Sequence, residues 1–205
     1  MRAIGREYPY PKGAYGGRFS GWLRSEYPEP YNSLGNGSAM RVSPCGEIAE
    51  SVEEARELAE KTAAVTHNHP EGILGAQAVA EAVYLARQGA DIPQIRKAME
   101  RYYPLKETLQ EIYETYHYSE TCAGTVPPAI TAFLESESFE DAVRNAVSLG
   151  GDCDTLTDIT CAMAWAYYAR RGEDECMKSL KRSAILKLPR DLRDTVEAWE
   201  ARFGK

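Results

Sequence analysis

The sequence has no basic excess: 24 lysines and arginines stand against 31 aspartates and glutamates, a formal net charge of −7. Neutralising a phosphate backbone needs the opposite balance, which argues against nucleic acid as the main partner. Also missing is any stretch near the roughly 20 uninterrupted apolar residues that a membrane-spanning helix needs. The N-terminus, MRAIGREYPYPKGAYGG, lacks the apolar centre of a signal peptide. A cytoplasmic protein with no membrane partner is expected. The five cysteines, Cys45, Cys122, Cys153, Cys161 and Cys176, are an odd number without a Cys-x-x-Cys pair. That pattern fits neither a disulfide framework nor a structural zinc site, so they read as thiols. No apolar–polar alternation of strand type is sustained, and no internal repeat is visible.

What remains is helical pattern on enough apolar material, 43% of 205 residues, for one packed core of ordinary size. We expect an all-α fold, a compact orthogonal helical bundle with long ligand-binding loops, as a single domain over residues 1–205. Residues 1–47 read as an ordered, loop-rich segment, because glycine, proline, tyrosine and asparagine crowd there without a helical period. Its Tyr8, Tyr10, Tyr15, Phe19, Trp22, Tyr27 and Tyr31 are too many for a solvated linker and should lie on something apolar. The helical core, 48–205, opens with a capping-box signature, Ser51 with Glu54, followed by Val52, Ala55, Leu58, Ala59 and Thr62 at helical spacing. Further helices are expected over about 71–88, 92–103, 105–116, 125–135, 139–149, 155–171, 173–184 and 190–203. Ser138 with Asp141 caps one of them, Gly150 and Gly151 end it, and Pro189 opens the last.

Four segments could carry chemistry. In GGDCDTLTDI (150–159), Asp152 and Asp154 begin a helix, where carboxylates are favoured by the unpaired N–H groups and the dipole. They are either helix caps or, with the Thr155 hydroxyl, oxygen ligands for a hard divalent cation. Asp158 one turn on could extend the acidic face or be simply solvated. In YNSLGNGSAMRVSP (31–44), Gly35 and Gly37 around Asn36 allow positive φ, which would turn backbone N–H groups on a diphosphate; a plain turn is the other reading. Ser33, Ser38 and Arg41 supply hydroxyls and a cation, although Arg41 could instead tie loop carbonyls together. In AVTHNHPEG (64–72), His67 and His69 either begin a zinc site or divide two roles, one imidazole donating to substrate and the other ordering the loop through a backbone carbonyl. The third histidine, His117, reads as structural. In YSETCAGTVPPAITAFLES (118–136), Cys122 at a helix start is a nucleophile or, with no base assigned to it, a packed thiol. Tyr102, Tyr103, Tyr113, Tyr116 and Tyr118 read as core and rim packing.

Taken in order, PYNSLGNGSAMRVSP, AVTHNHPEGILGAQAVAEAVYLAR and FLESESFEDAVRNAVSLGGDCDTLTDI strongly resemble the ADP-ribosylglycohydrolase family. The resemblance spans roughly residues 7–168. It implies a compact all-α fold and a two-metal site, usually magnesium, that positions a ribose for hydrolysis of its N- or O-glycosidic link to a protein or small molecule. Carried over by motif, Asp152, Asp154 and Thr155 are metal ligands, and Asp152 and Asp154 the catalytic pair. Ser33, Gly35, Asn36 and Gly37 hold the diphosphate and ribose, with His67 or His69 approaching the same ligand. The family also has an N-terminal segment bearing a Thr-Asp-Asp-Thr string and a glutamate on a mobile loop. No such string occurs here. About half of the expected carboxylates are therefore missing, and one weakly held magnesium or none is expected. Two functions follow: a metal-dependent hydrolase of an ADP-ribosyl glycosidic bond, or a degenerate relative that sequesters an ADP-ribose-like nucleotide or docks a protein. The face that the missing segment would cover would be packed by residues 1–47, by a partner, or by a second copy.

Overall fold

In the computed structural model, residues 1–12, 14–172 and 175–203 are described. Among them the fold is all helical, with one isolated antiparallel bridge between Gly35 and Thr121 in place of strands. The segment expected as loop contains four short helices instead: α1 (Arg2–Glu7), α2 (Gly17–Arg24), α3 (Gly37–Met40) and α4 (Ser43–Ile48). None has a side-chain cap and each is too short for a period to register, so tertiary contact holds them. Gly5 shows this: a Cβ there would stand 2.7 Å from Leu23 Cδ2, and Leu23 is buried. The aromatic side chains of this segment pack largely on one another, Tyr15 edge-on to Phe19 and Phe19 stacked on Trp22, rather than on the core. Tyr10 and Tyr27 are 94% and 83% exposed, so the expectation of burial fails for them.

The core is built around α6 (Pro70–Arg87), whose small residues are buried along its length and which packs against α3, α4, α5 (Val52–Ala64), α7 (Ile92–Met99), α9 (Cys122–Leu134) and α11 (Cys153–Ala169). An alanine- and glycine-rich helix is apolar on every side and lets neighbouring backbones come close. A Cβ on Gly46 would meet the Ala80 carbonyl at 2.4 Å, and one on Gly75 would meet Cys122 Sγ at 2.6 Å. Glu81 of α6, fully buried, is neutralised by Arg56 (2.7 Å) and Arg101 and receives the Tyr102 hydroxyl at 2.5 Å. That cluster clamps α5 and the turn after α7 to α6.

Helix ends follow local chemistry more closely than apolar spacing. Ser51 and Ser138 accept the N–H groups of Glu54 (3.0 Å) and Asp141 (3.1 Å), while the acid side chains reach back to Glu50 and Glu137. Thr108 forms a full capping box with Glu111, so α8 is Leu109–Thr115, shorter than expected. Thr121 caps α9, starting it earlier than expected. α10 is Phe139–Leu149, ended by Gly150 and Gly151, both at positive φ. α12 (Glu175–Lys187) and α13 (Arg190–Phe203) complete the fold; the expected start of α12 at 173 lies outside the described residues. They are tied on by Lys181–Glu200 (2.7 Å) and by the Tyr8 hydroxyl donating to Asp191 (2.6 Å).

Candidate functional site

The loop over residues 31–36 lies across the start of α6, where a Cβ on Gly72 would stand 2.7 Å from the Ser33 carbonyl. Its backbone is pinned on both sides. Tyr31 and Ser33 donate to the Thr66 carbonyl, Asn36 N–H donates to the Glu120 carbonyl at 2.8 Å, and Cys122 N–H donates to the Leu34 carbonyl at 3.0 Å. Gly35 and Gly37 are not at positive φ, contrary to expectation. Glycine is needed there for proximity: a Cβ at either would stand 3.5 Å from His67 Nε2, and at Gly35 it would also press on Glu120 O at 3.3 Å.

Arg41 takes the structural role. Its guanidinium donates to the carbonyls of Gly37 (3.1 Å), Thr62 (3.0 Å) and Ala63 (3.4 Å) and to Thr66 Oγ1 (2.8 Å). With Arg41 donating to that hydroxyl, the Thr66 proton goes to His67 Nδ1 at 2.7 Å, which assigns the N–H to Nε2, the atom facing Gly35 and Gly37. Burial, with Arg41 and Arg18 nearby, pushes His67 down to about 4, so it is a neutral donor at neutral pH. His69 is elsewhere occupied: its Nδ1 accepts the Glu71 N–H at 3.2 Å and caps α6. The expected bond to a backbone carbonyl is thus replaced by one from a backbone N–H. Cys122 is fully buried, donates to the Gly35 carbonyl at 3.2 Å, and burial pushes its thiol up to about 11. A thiol so protonated is packing, and the nucleophile reading fails.

The acidic helix start meets this loop through one side chain. Asn36, 7% exposed, donates from Nδ2 to Asp152 Oδ2 at 2.6 Å and to Thr125 Oγ1 at 3.0 Å. Asp152 stands at the N-cap position of α11 but makes no side-chain cap bond. Its carboxyl is pushed up chiefly by burial and by the adjacent Asp154, against the pull of Asn36 and Thr155. Asp154 Oδ1 accepts the Thr155 N–H at 3.0 Å, and Thr155 Oγ1 rests on Met40 Sδ at 3.8 Å. Asp158 is exposed yet ringed by protein mass, which with the Asp154 charge raises its carboxyl to about 6. Among the described residues no group of three or more His, Cys, Asp or Glu side chains is placed to hold a metal, so neither Asp158 nor the His-x-His pair completes such a set.

Sequence reasoning missed Tyr116 and Thr125. Tyr116 lies against Gly151, where a Cβ would stand 2.6 Å from its Cε1 and φ is +65°. Its hydroxyl is turned toward Thr125 without a hydrogen bond of normal geometry. The signal was the glycine before the aspartate; nothing in sequence links residue 36 to residue 125.

Two clefts are lined by residues that pack near the loop and the start of α11. One of about 290 Å³ is lined by Arg18, Trp22 and Tyr31, with the Arg18 guanidinium 4.9 Å from the Tyr31 ring centre and that ring 6.0 Å from His67. The other, about 250 Å³, is lined by residues that include Leu105, Tyr116, Ser119, Gly124 and Pro128.

The family model for ADP-ribosylglycohydrolase matches residues 6–202. The chain belongs to the ADP-ribosylglycohydrolase family. Over 198 residues it is 29% identical to human ADP-ribosylhydrolase ARH3, covering 74% of this chain and 54% of that protein. Over 164 residues it is 28% identical to ADP-ribosylarginine hydrolase Tri1 of Pseudomonas putida (strain GB-1), covering 74% of this chain and 44% of that protein. The matches thus span about half the length of these curated relatives. A solved ADP-ribosylglycohydrolase-related protein complex superposes with a TM-score of 0.66 at 24% identity, over 95% of this chain and 70% of that one, which establishes the shared fold. No helix among the described residues of this family member is long and apolar enough to cross a membrane.

Proposed function

We propose that the protein hydrolyses the N- or O-glycosidic bond joining an ADP-ribosyl group to a protein or small molecule. The observation that carries this reading is the Asn36–Asp152 bond, which joins the glycine loop to the acidic helix start in one site. The field across that site is polarised. Arg41 and Arg18 act on His67 at one end, and at the other Asp152 is half-buried with Asp154 beside it. A diphosphate belongs at the first end, against Ser33–Gly37 and the Nε2–H of His67, with the base toward Trp22 and Tyr31. The distal ribose then reaches Asp152, Asp154 and Thr155. ADP-ribosylarginine, after which Tri1 is named, is one substrate that fits this reading.

The donor set Asp152, Asp154 and Thr155 is hard oxygen, the chemistry magnesium takes, and although no third acidic side chain, His or Cys joins it among the described residues, these three would hold such an ion. When bound, the ion would supply positive charge to orient ribose hydroxyls and water. The chain's own part is electrostatic. The carboxylate pair stabilises the positive charge that grows on the anomeric carbon as water adds and the bond to the departing nitrogen or oxygen breaks. The proton lost by water ends on the departing group. The thiol content suits a reducing compartment, and we place the protein in the cytoplasm.

Retention of a nucleotide without turnover is the second reading. It is favoured by one observation: an oxygen of Asp152 is engaged by Asn36 and one of Asp154 by the Thr155 N–H. The test is release of ADP-ribose from an ADP-ribosylated peptide with magnesium. Turnover by the wild type that disappears in Asp152→Asn with Asp154→Asn supports hydrolysis. Turnover that survives the double substitution removes the mechanism, and tight ADP-ribose binding without turnover establishes sequestration.

A further inference from the structure

The cleft on the α9 side of Tyr116 carries a second assignment, which rests on the hydrolase reading above. It shares Tyr116 and Ser119 with the surroundings of Asp152: Tyr116 packs on Gly151, and the Ser119 carbonyl receives the hydroxyl of Thr125, the residue that also binds Asn36. The cleft therefore adjoins the site through Tyr116 and Ser119. At about 250 Å³ it holds one or two amino-acid residues, not a folded domain.

Its floor is chemically biased. Pro127 and Pro128 sit inside α9 and both line the cleft. In an α-helix the carbonyl of residue i receives the N–H of residue i+4, or of i+3 in a tighter turn, and proline has no N–H to give. The Gly124 carbonyl loses both donors, and the Ala123 carbonyl loses the donor at 127. Gly124 itself lines the cleft. Unmatched backbone acceptors beside a cavity favour a ligand rich in N–H donors. Leu105, Ile112, Tyr116 and the proline rings supply apolar contact around them.

We infer that this cleft is the subsite for the departing side of the substrate: the modified residue and adjoining backbone of an ADP-ribosylated peptide, held through its N–H groups. The nucleotide half is assigned to the Ser33–Gly37 loop instead, where His67 stands beside Gly35 and Gly37 and feels the charges of Arg41 and Arg18.

The experiment is a titration of ¹⁵N-labelled protein with N-acetyl-arginine methylamide and, separately, N-acetyl-serine methylamide, each to about 10 mM, enough to populate a site of roughly millimolar dissociation constant. Expected are progressive amide shifts at Tyr116, His117, Ser119 and Gly124. Leu105→Trp, which fills the cleft, and Pro128→Ala, which returns a donor to Gly124, should each weaken them several-fold. Shifts from both probes point to backbone amides as the recognised donors, and shifts from the arginine probe alone to its guanidinium. Absence of cleft shifts with both probes, or shifts that Leu105→Trp leaves intact, overturns the inference. A parallel ADP-ribose titration, read at Asn36, Gly37 and His67, reports on the nucleotide site. Its failure beside intact cleft shifts would remove the hydrolase reading and leave the peptide subsite standing.

Discussion

The Asn36 side chain donates to Asp152 Oδ2 at 2.6 Å across 116 positions of sequence, and its amide is otherwise committed to Thr125. Asn36 also sets the backbone, its own N–H held by the Glu120 carbonyl. One residue therefore fixes both the position of the loop and the orientation of the carboxylate.

Asn36→Ala should remove that coupling while leaving the fold largely intact. Loss of a buried bond to a charged partner costs about 1.5–3 kcal/mol. ADP-ribose affinity measured by calorimetry should fall by at least tenfold, with Asn36→Asp worse still because it sets a third carboxylate against Asp152. Unchanged affinity in both variants would detach Asn36 from the site.

Magnesium should raise the melting temperature of the wild type, by mass action on a site present only when folded. Asp152→Asn with Asp154→Asn should abolish that rise and itself raise the metal-free melting temperature slightly, since it removes a carboxylate whose charge is disfavoured first by burial and then by Asp154. Thermal melts with and without the ion, with calcium as a second hard cation, check both halves.

His67 predicts a pH dependence with a definite sign. Its pKa is lowered from 6.5 to about 4 in the folded chain, so on acidification the unfolded chain takes up the proton first. Its contribution to stability is present above about pH 6.5, is lost as pH falls toward 4, and amounts to something on the order of 3 kcal/mol. Asp158, raised to about 6, works the other way within an overlapping window. The quantity to measure is thus the difference in unfolding free energy between wild type and His67→Gln at pH 7 and pH 4.5. That difference should shrink on acidification, and a constant difference would refute the neutral imidazole.

Glu81 should be the most sensitive position outside the site. Its fully buried carboxylate is compensated by Arg56, Arg101 and Tyr102, and Arg56→Ala with Arg101→Ala leaves that charge buried without a cation, a class of change that costs about 3–5 kcal/mol. Denaturant unfolding should show it, whereas Lys61→Ala, which removes an exposed pair with Glu57, should cost about 0.5 kcal/mol or less.

Much of this was legible in the chain. Helices with strong caps and periods, such as α10 between Ser138 and Gly150, follow directly from local chemistry. The four N-terminal helices did not, because α1 to α4 lack side-chain caps and depend on contacts like that of Gly5 with Leu23. At the site, the acidic helix start and the glycine loop were visible as separate motifs. Their junction was not: the Asn36–Asp152–Thr125 contacts join residues far apart in sequence. His69 looked equivalent to His67 in sequence and is separated from it only by the cap it provides to α6.

A crystal structure of the protein with ADP-ribose and magnesium bears most directly on the central claim. The account predicts density for the diphosphate along Ser33–Gly37 within reach of His67 Nε2, with the distal ribose against Asp152 and Asp154. Nucleotide bound at another face, or a ribose turned away from α11, would contradict it.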